Sequence, residues 1–186
     1  MTKILIAVWT SVFVFGINLS YGQEKEQQIN WISWEEAAEQ MEVTPKKIIL
    51  DVYTSWCVWC KRMDESTFQN EQIAAYINEH FYPVRLDAEY REDIKFKGKN
   101  YKFIRSGRSG YHELAAELLN GRLSFPTIVF MDDQLNVIQS IAGYKTSAQF
   151  QRIITYFGSN GHTNTPWSTY QKSFAPKMML IKNDKP

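Results

Sequence analysis

Cys57 and Cys60 are the only cysteines in the 186-residue chain, and they stand two residues apart in Trp56-Cys57-Val58-Trp59-Cys60. A pair at that spacing, held at a helix N-terminus, keeps both sulfurs within bonding reach. One thiol can then attack a disulfide and the other resolve the mixed disulfide, which is redox chemistry. The helix dipole and unpaired amides favour a thiolate at the first position, lowering a free thiol's pKa of ~8.5 by a unit or more. Cys57 is therefore the expected nucleophile. Cys60, one turn in, is the expected resolving thiol and should be shielded. Neither Val58 nor Trp59 is a histidine that would add positive charge, which argues against a strongly oxidising disulfide.

Other uses of two cysteines fit less well. A structural crosslink stabilises mainly by restricting the unfolded chain, an effect that grows with loop length, so a two-residue gap makes a poor staple. One C-x-x-C supplies two of zinc's four ligands, and the only histidines, His80, His112 and His162, are scattered without ligand spacing. Haem attachment through C-x-x-C-H fails because Lys61 follows Cys60. No metal and no cofactor is expected.

The N-terminus indicates where such chemistry would take place. Lys3 is followed by the uncharged apolar run Ile4 to Ile17 and by Ser20-Tyr21-Gly22, a pattern that reads as a secretory signal cleaved near Gly22. The run is shorter than the roughly 18 apolar residues of a membrane span. Residues 1–22 are thus expected to be a signal peptide and the body to lie in the periplasm or outside the cell, where disulfides persist. The remainder is one domain's worth of chain, and 44% hydrophobic with 15% aromatic residues suffices for one buried core. Lys3 is the only charge in the signal, so the mature chain balances its 20 acidic residues with as many basic ones. That balance gives no nucleic-acid surface.

Several elements are needed to position the pair. Ile29 to Ile32 reads as an opening strand, and Ser33-Trp34-Glu35-Glu36 is a capping box for a helix ending before Pro45. Lys47 to Tyr53, β-branched and mostly apolar, reads as a central strand delivering the chain to Trp56 and Cys57. Asn70 caps a helix with Ile73, Ala74, Ile77 and Phe81 on one face, and Tyr82 to Leu86 follows as a parallel strand. Residues 91–122 hold eight Lys or Arg against four acids. There, Ile94 to Lys97 and Asn100 to Phe103 suit a hairpin turning at Gly98-Lys99, with Phe96 facing Tyr101 and Ile94 facing Phe103. Arg105 to Gly110 reads as a flexible turn. Tyr111, Leu114, Ala115, Leu118 and Leu119 then follow at helical spacing, with Asn120-Gly121 as the stop. Ile128 to Met131 and Val137 to Ala142 form an antiparallel hairpin, and Thr146 to Gln149 caps a helix with Phe150, Ile153, Ile154 and Phe157 inward. Ser159 to Thr165 is a polar linker, Trp167, Tyr170 and Phe174 mark a short amphipathic segment, and the rest is a basic tail.

This order of elements, with the C-x-x-C at a helix start and a proline before an antiparallel hairpin, resembles the thioredoxin fold over residues 29–158. Asp51 stands six residues before Cys57 as that family's buried acid does, Trp56 precedes the first cysteine, and Pro126 occupies the place of its cis-proline. More narrowly, Leu50-Asp51-Val52-Tyr53-Thr54-Ser55-Trp56-Cys57 to Lys61, followed by Thr67-Phe68, is similar to the C-terminal periplasmic domain of transmembrane thiol:disulfide interchange reductases and to secreted thioredoxin-related proteins. The departure from the pattern is the basic stretch between Asp87 and Pro126.

The resemblance implies an α/β thioredoxin fold, a central mixed sheet flanked by helices, with an insert at about 91–110 before the cis-proline and an extension at 159–186. It implies that Asp51, buried beneath the cysteines with a raised pKa, takes the proton from Cys60; the alternative is a capping or solvated carboxylate. It implies that Pro126 presents the backbone of Phe125 to a substrate strand; the alternative is an ordinary strand-opening proline. Trp56 and Trp59 could rim the site, although at least one is expected in the core. His112 is expected to be a satisfied or surface histidine. The expected function is reduction of protein disulfides by a monomer, with disulfide-containing proteins as substrates and a membrane thiol donor as partner. An isomerase or oxidase shares that chemistry, and a binding module or holdase with an idle cysteine pair is the reading of another class.

Overall fold

The computed structural model describes residues 27–174. The signal segment 1–22 and the basic tail beyond Phe174 lie outside the described residues. Ser33 caps α1 (Trp34–Val43) with the full reciprocal box to Glu36. β1 (Ile48–Tyr53) is buried almost throughout. It leads into α2 (Val58–Met63), which continues through one π turn, Asp64–Phe68. The Asn70 side chain accepts from the amides of Gln72 and Ile73 to start α3 (Glu71–His80), and β2 (Tyr82–Asp87) runs parallel to β1.

The stretch after β2 holds two hairpins and a helix. β3 (Ile94–Phe96) pairs with β4 (Lys99–Tyr101), β5 (Phe103–Ser106) pairs with β6 (Ser109–His112), and α4 (Glu113–Leu118) follows. The remaining elements are β7 (Thr127–Met131), β8 (Val137–Ala142), α5 (Ser147–Gly158), α6 (Gly161–Asn164) and α7 (Trp167–Ser173). The central sheet has the order β2-β1-β7-β8, with β7 antiparallel to both neighbours. Alternation along β1 assigns its two faces. Leu50 and Val52 join Trp34, Phe96, Leu114 and Val129 on the side covered by α1, the first hairpin and α4. Ile49 joins Met63, Phe68, Ile73, Ile77 and Phe150 on the side covered by α2, α3 and α5.

Four sequence expectations need correction. The opening strand Ile29 to Ile32 shrinks to a single parallel bridge, Ile32 with Val84. The first hairpin turns at Lys97-Gly98, whose φ angles of 48° and 77° are both left-handed as a type I′ turn requires. The register is therefore Ile94 opposite Tyr101 and Phe96 opposite Lys99. That turn frees Lys102 from the ladder, so Phe103 begins the second hairpin instead of ending the first. Tyr111 accordingly lies in β6, and the helix expected from it starts only at Glu113. The polar linker after α5 contains the short helix α6.

Lys97 and Lys99 of the insert are exposed yet hydrogen-bonded. Lys99 Nζ donates to Glu117 (2.9 Å), and the Tyr101 hydroxyl donates to the other oxygen of that carboxylate (2.6 Å), fastening the first hairpin to α4. On the opposite side of the molecule α7 lies back on α5. Trp167 meets the ring of Tyr156 edge-on at 5.1 Å, and the Tyr170 hydroxyl donates to Thr155 Oγ1 at 3.0 Å.

Candidate active site

Cys57 is the N-cap of α2 and forms a disulfide with Cys60, their Cα atoms 5.3 Å apart. The backbone N–H of Cys60 points at Cys57 Sγ (3.0 Å). After reduction that amide, together with the helix terminus, would favour a thiolate on Cys57. The tight turn from β1 into α2 is closed by the Cys57 amide donating to the Thr54 carbonyl (3.1 Å). Both cysteines are 5% exposed, so shielding does not distinguish Cys60 from Cys57; position on the helix does.

Asp51 is 2% exposed on the sheet face that α2 covers. Its register partner Ile128 belongs to the same apolar cluster as Met63 of α2. Burial pushes the carboxyl up from 3.8 to about 7, with Arg85 opposing and Asp64 reinforcing the rise. Arg85 stands opposite Asp51 in the β1–β2 register, its Nε 3.3 Å from Asp51 Oδ2, while Nη2 contacts Asp64. The guanidinium lies over the ring of Trp31 at 4.7 Å. One cation is thus shared by two carboxylates, and Asp51 Oδ1 has no hydrogen-bond partner in the protein. Sequence reasoning missed Arg85 and Asp64. An arginine at the alternation position between inward-facing Val84 and Leu86 was the available signal.

The rim differs from expectation. Trp56 is 61% exposed, Trp59 60% and Val58 74%, so neither tryptophan is in the core. Each leans on a partner from across the site instead. Trp56 meets Phe125 edge-on at 6.1 Å and donates its indole N–H to Glu89 (3.1 Å). Trp59 lies 5.6 Å from Tyr144. The Phe125–Pro126 peptide bond is cis. The structure therefore sets the ring of Phe125 against that of Trp56, the neighbour of Cys57, with Pro126 directly before β7 and Asp51 on the β1 face that α2 covers. Two exposed indoles and a valine around a cysteine pair give a surface able to hold an apolar stretch of polypeptide.

His112 is the satisfied histidine of the two readings and not a surface one, being fully buried. Its Nδ1 accepts from the Leu114 amide (3.3 Å) as the cap of α4, its Nε2 lies 3.2 Å from the Glu92 carbonyl, and burial lowers its pKa. It fastens the insert. Among the described residues no group of three or more His, Cys, Asp or Glu side chains is placed to hold a metal ion.

Comparison with known proteins agrees with this fold. The family model Thioredox_DsbH, described as a protein of unknown function, DUF255, matches residues 19–155. Spermatogenesis-associated protein 20 of Rattus norvegicus is 38% identical over 73 residues, which are 39% of this chain and 9% of that protein. An uncharacterized protein of Caenorhabditis elegans is 29% identical over 126 residues, 59% of this chain and 17% of that one. The chain thus spans a small fraction of the length of these relatives. Among solved structures, the DsbH oxidoreductase superposes with a TM-score of 0.52 at 20% identity, covering 77% of this chain and 94% of its own. A thioredoxin-fold protein from Helicobacter pylori gives 0.52 at 20% identity, covering 84% and 87%. The fold is the thioredoxin fold.

Proposed function

The chain belongs to the thioredoxin-like family described as DUF255, and from that membership and the geometry at Cys57 we propose that it is an extracytoplasmic thiol-disulfide oxidoreductase that reduces protein disulfides. The observation that carries the reading is the cysteine pair at the start of α2, with Cys57 as its N-cap, ringed by exposed apolar side chains. The signal-like segment from Lys3 to Gly22 supports the location.

In the reducing direction the Cys57 thiolate attacks one sulfur of a substrate disulfide and expels the other as a thiolate. Cys60 then gives up its proton, with Asp51 as acceptor, and its thiolate attacks Cys57 Sγ in the mixed disulfide. The second substrate sulfur leaves, two electrons have passed to the substrate, and the protein holds the Cys57–Cys60 disulfide. A membrane dithiol donor restores the thiols by the reverse exchange. Trp56, Trp59 and the backbone of Phe125 before Pro126 hold the substrate strand across the pair.

Reduction of insulin with a dithiol as electron source tests this. The wild-type protein is expected to accelerate precipitation of the insulin chains, and Cys57→Ser is expected to abolish the acceleration, because Cys60 alone lacks the N-cap position that favours the attacking thiolate and has no second thiol to resolve a mixed disulfide. Retained activity in Cys57→Ser would overturn the reading. Rescue of a deletion strain by a protein with both cysteines replaced by serine would replace it with a binding module.

A further inference from the structure

Beside the disulfide, a groove of about 300 Å³ opens between the second inserted hairpin and the active-site rim. That volume is at the lower end of ligand pockets (~300–1,000 Å³), room for one long side chain rather than for a cofactor. One wall is Trp56 with Glu89, joined by the indole hydrogen bond, and another is Leu123 with Phe125. The third wall is Gly110 and Tyr111 of β6, which belong to the insert. Glu89 is the one charged side chain among the lining residues.

Two features show that this wall is built in place. The amide of His112 donates to the Ala88 carbonyl (2.7 Å), so β6 is tied to the segment that carries Glu89. At Gly110 any Cβ would come within 2.2 Å of the Phe103 ring and 2.5 Å of the Ile104 carbonyl oxygen. Only glycine lets β5 close against β6 at that point. On the other side the groove shares Trp56 and Phe125 with the surface that would hold a substrate strand, so a residue flanking the attacked cysteine falls at its mouth.

Resting on the oxidoreductase reading above, we propose that this groove is a specificity pocket for a lysine or arginine side chain adjacent to the attacked cysteine of a protein substrate. The apolar stem lies against Leu123, Phe125 and the Tyr111 ring, and the cationic head meets Glu89. One oxygen of that carboxylate takes the Trp56 indole proton, and a carboxylate has acceptor capacity left for a second donor. The recognised chemistry is a cation on an aliphatic stem; an acidic neighbour of the cysteine is repelled.

Two measurements test the pocket. In the first, disulfide-linked peptides with lysine, norleucine or glutamate beside the cysteine are reduced by the full mature protein. The expected kcat/KM order is lysine, norleucine, glutamate, with lysine over norleucine by about threefold to tenfold. The ratio should collapse towards one in Glu89→Gln, invert for lysine against glutamate in Glu89→Lys, and shrink at high ionic strength. In the second, the oxidised protein is titrated with peptides bearing serine in place of cysteine, following the Trp56 indole N–H resonance; lysine should bind more tightly than norleucine. Equal rates for all three peptides, together with equal binding, would overturn the pocket even while the protein reduces every disulfide offered. Selective binding of the lysine peptide by a protein that exchanges no disulfide at all would instead keep the pocket and overturn the oxidoreductase reading.

Discussion

Asp51 sits in apolar surroundings with a half share of one arginine, and this has a pH-dependent cost. Its folded pKa of about 7 lies above the ordinary 3.8, so between those values the folded protein binds more protons than the unfolded chain. Stability therefore falls as pH rises from about 4 to about 7, by at most about 4 kcal/mol, and stays lowered above that. D51N removes this cost. The variant is expected to be more stable than wild type by about 2–4 kcal/mol at pH 8 and by little at pH 4, as read from denaturant titrations at both values. Its insulin reduction should be slower by about tenfold or more, because Cys60 has lost its proton acceptor. Equal stability at pH 8 would show that the folded protein does not raise this carboxyl's pKa above its ordinary value. The burial of Asp51 was legible in the sequence through the resemblance to the thioredoxin family, whose buried acid stands at the same distance before the first cysteine. Its partners were not, since Arg85 comes from another strand and Asp64 from the π turn, and only the β1–β2 register joins them. The exposure of Trp56 and Trp59 was likewise hidden. A composition rule sends large aromatics inward, whereas here Phe125 and Tyr144 support them from the far side of the site.

At the scale of elements, strands β1, β2, β7 and β8 and helices α1, α3 and α5 were readable from apolar periodicity and from caps, because each signal is local. The insert was not, because a one-residue choice of turn decides its register. Lys97 accepts a left-handed φ beside Gly98, and the hairpin shifts so that Ile94, Phe96 and Tyr101 all reach the core. Phe96 packs edge-on against Trp34 at 5.0 Å, and the Trp34 indole donates to the Lys95 carbonyl at 3.3 Å. The hairpin is therefore part of the domain's packing, however basic its surface. F96A should destabilise the protein by about 3–5 kcal/mol, a large part of a typical domain's total. Removal of residues 94–103 should abolish cooperative melting, measured by circular dichroism. An unchanged melting temperature in F96A would mean that the hairpin merely decorates the surface. Buried His112, tying β6 to the 88–92 segment, explains how the second hairpin stays aligned beside the disulfide.

Over the whole molecule, one mixed sheet with helices on both faces carries the redox pair at the end of a buried central strand. The insert supplies both core packing on one face and a wall beside the pair. The terminal helices close over α5 on the far side, and no helix among the described residues is long and apolar enough to cross a membrane. With a formal net charge of +1 the chain has no strong global field, so the recognition proposed above rests on local features of the rim. In the proposed role this architecture runs the pair as an electron donor, with no histidine between the cysteines to stabilise the reduced form. The deciding measurement is the equilibrium reduction potential of Cys57 and Cys60 in the purified protein, titrated against dithiol buffers and read by thiol trapping. An electron-donating pair should show a value near or below ~−270 mV, that of thioredoxin; a value of ~−120 to −180 mV, in the range of oxidases and isomerases, would rule the donor role out.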